Sequence, residues 1–160
     1  MKKATVNMMD QVGKNLALPK GAKVLDAGCG EGATAKYLSK EFGYQVIGVD
    51  LLDFNIKRAK ERNVLDPQNP RFNVGNYSKL DIPDNSLDGI YTLETLVHSP
   101  EYREALKEFS RVLKKGGKLV LFEYSLPKEL SKHDSEIFEI ISEGSAMHSF
   151  PLFMIHFLKK

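Results

Sequence analysis

The chain has 160 residues, 42% of them hydrophobic and 28% charged, which is the balance of one globular domain with a sizeable core. Basic residues number 23 against 21 acidic ones, a formal charge of +2, so no electrostatic case for nucleic acid arises. The lone cysteine, Cys29, excludes an internal disulfide, no signal-peptide pattern opens the chain, and no apolar run is long enough to span a bilayer, so a cytoplasmic protein is expected.

In chain order, Val6, Met9, Val12 and Leu16 stand at helical spacing and predict a helix over 3–17, closed by Pro19 and Gly21. A strand follows at 23–27 and a helix at 31–42, with Ala35, Leu38 and Phe42 on one face. The second strand runs from Gln45 to Val49 and stops at Asp50. A helix at 53–63 carries Phe54, Ile56 and Ala59, and strands are predicted at 71–74 and 87–92. Ser99 reads as the cap of a further helix, with Pro100 at its first position, Glu101 in its first turn and Leu106, Phe109 and Leu113 as its stripe. Lys114 and Lys115 would lie in its last turn before Gly116. A strand at 118–124 and a helix at 131–143 complete the pattern.

Alternating strands and helices predict an α/β fold: a Rossmann-like, doubly wound, mostly parallel sheet with helices on both faces. The whole chain reads as a single domain. It divides into an N-terminal helix (1–20), a cofactor-binding core (22–146) and an apolar tail (147–160). Ligands on such sheets bind beyond the carboxyl ends of the strands at the switch point. That rule selects the loop after strand one, Asp50, and the segments after strands three and four.

The first of these places is Asp26-Ala27-Gly28-Cys29-Gly30-Glu31-Gly32. Glycines at alternate positions after a strand make a turn that a ligand can approach closely. Gly28, Gly30 and Ala33 also fit a dinucleotide fingerprint, with Asp50 at the distance of a ribose contact. A carboxylate at Asp26 would sit badly beside a diphosphate but well beside a cation. The stretch resembles the first motif, D/E-x-G-x-G-x-G, of the class I S-adenosylmethionine-dependent methyltransferases.

That resemblance implies S-adenosylmethionine as cofactor, lying against Gly28, Gly30 and Gly32, with Asp26 orienting the loop and helping the cofactor ammonium. Asp50 would accept the ribose hydroxyls, or else cap the helix that starts at 53. Leu51 would pack on the adenine. Gly75-Asn76-Tyr77 stands where the family usually has Gly-Asp, so Asn76 would accept from the adenine amine without charge, or serve only as a turn residue. Tyr77 and Leu93 complete the cofactor-binding candidates.

Ile90-Tyr91-Thr92-Leu93-Glu94-Thr95-Leu96-Val97-His98-Ser99-Pro100 is similar to the Y-x-I-E-A-x-x-H-A-P segment of the sterol C-methyltransferases. Asn76–Asp81, Asn85–Asp88, Val112–Tyr124 and Glu143-Gly144-Ser145 agree with the same group, so the likeness covers about 22–146. Methyl transfer to an alkene leaves a carbocation and then a proton to remove. The resemblance makes Glu94 the stabiliser of that positive charge and His98 the base or substrate orienter. The plainer alternatives are a His98 that bonds the helix start and a Glu94 that binds backbone or the cofactor ammonium. His133, His148 and His156 show no metal-ligand spacing, and no metal is expected.

The sequence departs from the family at both ends. About twenty residues precede the first strand, and the tail offers nothing like the last two strands of a seven-stranded methyltransferase sheet. The strand at 118–124 is therefore expected to leave an open edge. The tail, Ser149–Leu158, would be buried in a homodimer, covered by a partner chain, or form a lid over an apolar substrate. Three functions follow. They are a methyltransferase for an apolar small molecule such as a sterol or isoprenoid alkene, a truncated cofactor-binding subunit without activity, and an NAD-dependent oxidoreductase, against which Asp26 argues.

Overall fold

The apolar stripe near the N-terminus forms the helix that its spacing predicts: α1 (Lys3–Leu16) turns Met9, Val12 and Leu16 into the core. The computed structural model describes residues 3–63, 70–96, 99, 102–124 and 153–157. After α1 come β1 (Lys23–Ala27), α2 (Ala33–Phe42), β2 (Gln45–Asp50), α3 (Asp53–Arg62), β3 (Arg71–Val74) and β4 (Leu87–Leu93). The order closes with α4 (Tyr102–Val112), β5 (Leu113–Tyr124) and β6 (Phe153–Phe157).

The strands form one sheet in the order β3-β2-β1-β4-β5-β6, and every neighbouring pair is parallel. The chain winds outward from β1 to β3, then crosses back and winds the other way from β4. The switch point therefore lies between β1 and β4, and the carboxyl ends of β1, β2, β3 and β4 all open toward it. Two apolar layers sandwich the sheet. Leu25, Ala27 and Ile90 pack with Leu106 and Phe109 of α4 on one face. Val24 and Tyr91 pack with Leu16, Leu38 and Ile56 of α1, α2 and α3 on the other. Period-two alternation along β1 assigns Asp26 to the second face, beside Val24.

Several expectations need correction. Phe54 does not join the apolar face of α3 but is 59% exposed, since Ile56 and Ala59 already fill that face. Helix α4 is described from Tyr102, and the expected start at Ser99–Glu101 lies largely outside the described residues. The Ser99 amide donates to the Leu96 carbonyl at 2.9 Å. Pro100 and Glu101 lie outside the described residues.

At the other end α4 stops at Val112, one residue before the predicted stripe ends. Leu113 is already strand, paired with Leu87. Lys114 and Lys115 are therefore in β5 rather than the last helical turn, where Arg111 stands. Lys114 Nζ pairs with Asp88 Oδ1 across the sheet at 2.7 Å. The last carbonyls of α4 are satisfied by the amides of Asn85 and Ser86, which donate to Arg111 and Val112. The Arg111 guanidinium also donates to the Leu80 and Ile82 carbonyls and to Asp84 and Glu108, binding the 80–84 turn to the helix.

The expected open edge of β5 is also corrected. Tail residues 153–157 form β6, aligned with β5 from Val120↔Phe153 to Tyr124↔Phe157. The tail thus adds one strand parallel to the sheet and satisfies the backbone of β5 from within the same chain. The predicted helix at 131–143 lies outside the described residues.

Candidate active site

Beyond Ala27 the chain turns through a loop anchored on β2: the amides of Gly28 and Cys29 both donate to the Val49 carbonyl, at 2.8 and 3.0 Å. Gly28, Gly30 and Gly32 have φ of +85°, +51° and +76°, the left-handed region. Two of them serve different ends. A Cβ on Gly28 would come within 2.8 Å of the Thr95 Cβ, so this glycine lets the segment after β4 press against the loop. A Cβ on Gly30 would meet nothing within 4 Å, so at Gly30 the left-handed turn faces open space. The glycine cradle required by the predicted cofactor is present.

Asp50, at the carboxyl end of β2, binds this loop directly. Its Oδ2 accepts from the Gly30 amide at 2.9 Å, and its Oδ1 accepts from the Leu52 amide at 3.0 Å and from Asn55 Nδ2 at 3.1 Å. Both oxygens are thus engaged by the chain itself; the bonds to Leu52 and Asn55 brace the start of α3 without capping its first-turn amides. A carboxylate has about four acceptor positions, so room for a further donor remains. Beside it Leu51 is 62% exposed, and Val74 at the end of β3 is 52% exposed. These two apolar side chains line the outlet of the sheet next to the loop, a setting suited to a flat apolar ring.

Asp26 is withdrawn from the surface of the turn. It is 2% exposed, behind the loop and beneath the first turn of α2. Burial, with the nearby Asp50 charge adding to it, pushes its carboxyl up to about 7, against the opposing pull of the Tyr91 hydroxyl and the Ala35 amide. Tyr91 is the register partner of Asp26 on β4 and is fully buried. Yet neither Asp26 Oδ2 nor the Tyr91 hydroxyl oxygen has a hydrogen-bond partner of proper geometry. Burial also pushes the Cys29 thiol far up, so it is not a nucleophile at neutral pH.

The remaining candidates separate. The Asn76 amide oxygen accepts from the Ser78 amide at 2.8 Å and closes a turn, the plainer of its two readings. Tyr77 is core: its ring packs against Phe109 at 6.0 Å, and its hydroxyl donates to the Thr95 carbonyl at 3.4 Å. Leu93 is half-buried at the end of β4. Glu94 follows with φ +55°, a conformation that costs a side-chain-bearing residue about 1 kcal/mol or more, held by its amide's 2.7 Å bond to the Phe122 carbonyl. It is half-buried and is not helical. His98 lies outside the described residues.

The sequence reading passed over Glu31, whose carboxylate is paired with Arg58 at 2.8 Å and with Arg62, tying the loop to α3. Arg58 also lies 4.3 Å over the exposed Phe54 ring. The spacing Arg58-x-x-x-Arg62 puts both cations on one side of α3, which is the signal that was available. No group of three potential metal ligands occurs among the described residues. No described helix is long and apolar enough to cross a membrane.

The sequence model of the family described as "Methyltransferase domain" matches residues 25–121, more than half of the chain. The chain belongs to the class I methyltransferase family. A sterol 24-C-methyltransferase of Gibberella zeae is 34% identical over 125 residues, covering 76% of this chain and 33% of that protein. A 2-methyl-6-phytyl-1,4-hydroquinone methyltransferase of Synechocystis is 36% identical over 120 residues, covering 75% of this chain and 37% of its own. This methyltransferase-family chain thus spans about a third of the length of the curated relatives it matches. Among solved structures, geranyl diphosphate C-methyltransferase from Streptomyces coelicolor A3(2) superposes with a TM-score of 0.74 at 18% identity, covering 88% of this chain and 60% of that one. At that identity the superposition supports the fold alone. The family match decides against the oxidoreductase reading.

Proposed function

We propose that this protein is an S-adenosylmethionine-dependent methyltransferase acting on an apolar small molecule, of the sterol or isoprenoid alkene class. The observation that carries the cofactor reading is the left-handed Gly28–Gly32 turn. It is fixed at its centre by the bond between Gly30 and Asp50, and the buried Asp26 carboxyl lies behind it. A diphosphate would meet two carboxyl groups here, whereas a sulfonium and an ammonium meet favourable charge. The residues fit the cofactor: open space lies over Gly30, an unpartnered buried oxygen sits on Asp26, and Leu51 and Val74 present apolar faces.

When bound, the cofactor supplies an electrophilic methyl group. The chain holds it against the open turn at Gly30, with Asp50 for the ribose and with Leu51 for the adenine. Glu94 leaves the sheet where β4 ends, with its backbone bent toward the glycine loop through Thr95. Its carboxylate offsets positive charge as it develops on the acceptor carbon. His98 then takes the proton that the acceptor releases. The names of the relatives, which include sterol and prenylated hydroquinone methyltransferases, support an apolar isoprenoid-type acceptor.

The test is transfer of a labelled methyl group to sterol and isoprenoid alkenes. Labelled product with wild type and a drop of about 100-fold with Glu94→Gln supports the assignment. Tight cofactor binding without transfer to any acceptor would favour the inactive-subunit alternative.

A further inference from the structure

Asp26 and Tyr91 are an unusual pair. They face each other across the central β1–β4 ladder, both are buried, and each presents an oxygen without a hydrogen-bond partner. Buried polar atoms are nearly always bonded, and leaving one unbonded costs roughly 1–3 kcal/mol. A structural pair would have closed that gap. The gap lies one residue behind the loop that holds the cofactor. Around the Asp26 carboxyl stand the Tyr91 hydroxyl from β4, the Cys29 thiol from the loop, the Asp50 carboxyl from the end of β2 and the Ala35 amide from α2. Among the described residues none of these is a cation. The cofactor reading puts positive charge in front of the loop, on the far side from these neighbours.

We propose that Tyr91 is a positioning residue for Asp26, and that binding of the cationic cofactor converts the buried carboxyl to a carboxylate that accepts a hydrogen bond from the Tyr91 hydroxyl. The inference rests on the cofactor reading above and adds to it a proton that leaves. Asp26 loses its proton to solvent, no covalent bond other than O–H breaks, and the cofactor's charge replaces the charge of that proton. The orphaned oxygens are then the resting state of a device completed by ligand. Burial of Asp26 supports this, since it pushes the carboxyl up to about 7, within reach of a nearby positive charge.

The test uses S-adenosylmethionine, which carries both the sulfonium and the α-ammonium, in calorimetric titrations of the full chain without acceptor from pH 6 to pH 8 in two buffers of different ionisation enthalpy. Wild type should bind about tenfold more tightly at pH 8 than at pH 6 and release about half a proton per ligand at pH 7. Tyr91→Phe removes a hydroxyl that makes no well-formed hydrogen bond while Asp26 keeps its proton, so its cofactor-free melting temperature at pH 6 should not fall. Its binding profile should shift to higher pH, several-fold weaker at pH 7 than wild type. Asp26→Asn should bind weakly with a flat profile and no proton release. A Tyr91→Phe profile that overlays wild type overturns the role of Tyr91, and a flat wild-type profile overturns the proton coupling. Wild type that binds at no pH would overturn the cofactor reading itself, an outcome distinct from both.

Discussion

The Gly30 amide donates to Asp50 Oδ2 at 2.9 Å, so the centre of the glycine turn and the end of β2 are one rigid unit. The same carboxylate holds the start of α3 through Leu52 and Asn55. One side chain therefore sets the spacing between two walls of the cofactor cleft. Asp50→Ala should lower stability by about 1.5–3 kcal/mol, the worth of bonds to a charged group. It should also weaken S-adenosylhomocysteine by more than tenfold. Thermal melts and calorimetry read the two effects separately, and a variant that binds normally would remove Asp50 from the site.

Gly28 and Gly30 both have positive φ but differ in surroundings, which predicts different losses. Gly30→Ala meets no atom within 4 Å, so it should cost only about 1–2 kcal/mol of stability for the left-handed conformation. Its methyl group would occupy the cleft, and cofactor affinity should fall steeply. Gly28→Ala drives a methyl into Thr95 and should cost about 3 kcal/mol, chiefly as a lower melting temperature. Equal losses of stability would contradict the packing described for Thr95.

Glu94 carries its side chain on strained backbone at φ +55°. Glu94→Gly relieves that strain and should be no less stable than wild type, within about 1 kcal/mol. Glu94→Gln keeps the strain and loses the charge. Both should bind S-adenosylhomocysteine nearly as wild type does and both should lose methyl transfer. Transfer unchanged in Glu94→Gln would return Glu94 to its plainer reading as a backbone-binding residue.

Asp26 makes the cofactor-free protein's stability depend on pH. Its folded carboxyl, near 7, lies above the ordinary value of 3.8. Between those values the unfolded chain gives up its proton while the folded chain keeps it. Stability from this group is therefore full below about pH 4, is lost as pH rises toward 7 and stays lost above it, on the order of 4 kcal/mol in all. Melts from pH 4 to pH 8 should show a decline that Asp26→Asn flattens. An Asp26→Asn series that declines as steeply as wild type would show that the carboxyl is not the group responsible.

Much of the fold was legible because it is encoded locally. Apolar runs bounded by Gly, Pro and Asp marked β1 to β4, and helical spacing found α1, α2 and α3 within a residue or two. What escaped depends on contacts distant in sequence. Leu113 leaves the helix because Leu87 awaits it across the sheet, and no local pattern distinguishes that leucine from a third helical stripe position. Phe54 has the same spacing whether it faces the core or solvent. The tail reads as a sticky segment until β5 is present to pair with it.

In the site, the glycine turn and Asp50 were visible as motif and spacing. The burial of Asp26 was not, because period-two alternation assigns a residue to a face of the sheet without saying which face a helix seals. Tyr91 lies 65 residues from its partner and becomes part of the site only through the β1–β4 register. Tyr77, adjacent to a true turn residue, belongs to the core because Phe109 packs on it.

The most direct measurement is calorimetry of the full chain against S-adenosylhomocysteine and NAD in parallel at pH 8. The account predicts saturable one-to-one binding of S-adenosylhomocysteine and none of NAD. Binding of NAD with no heat from the sulfur compound would contradict it.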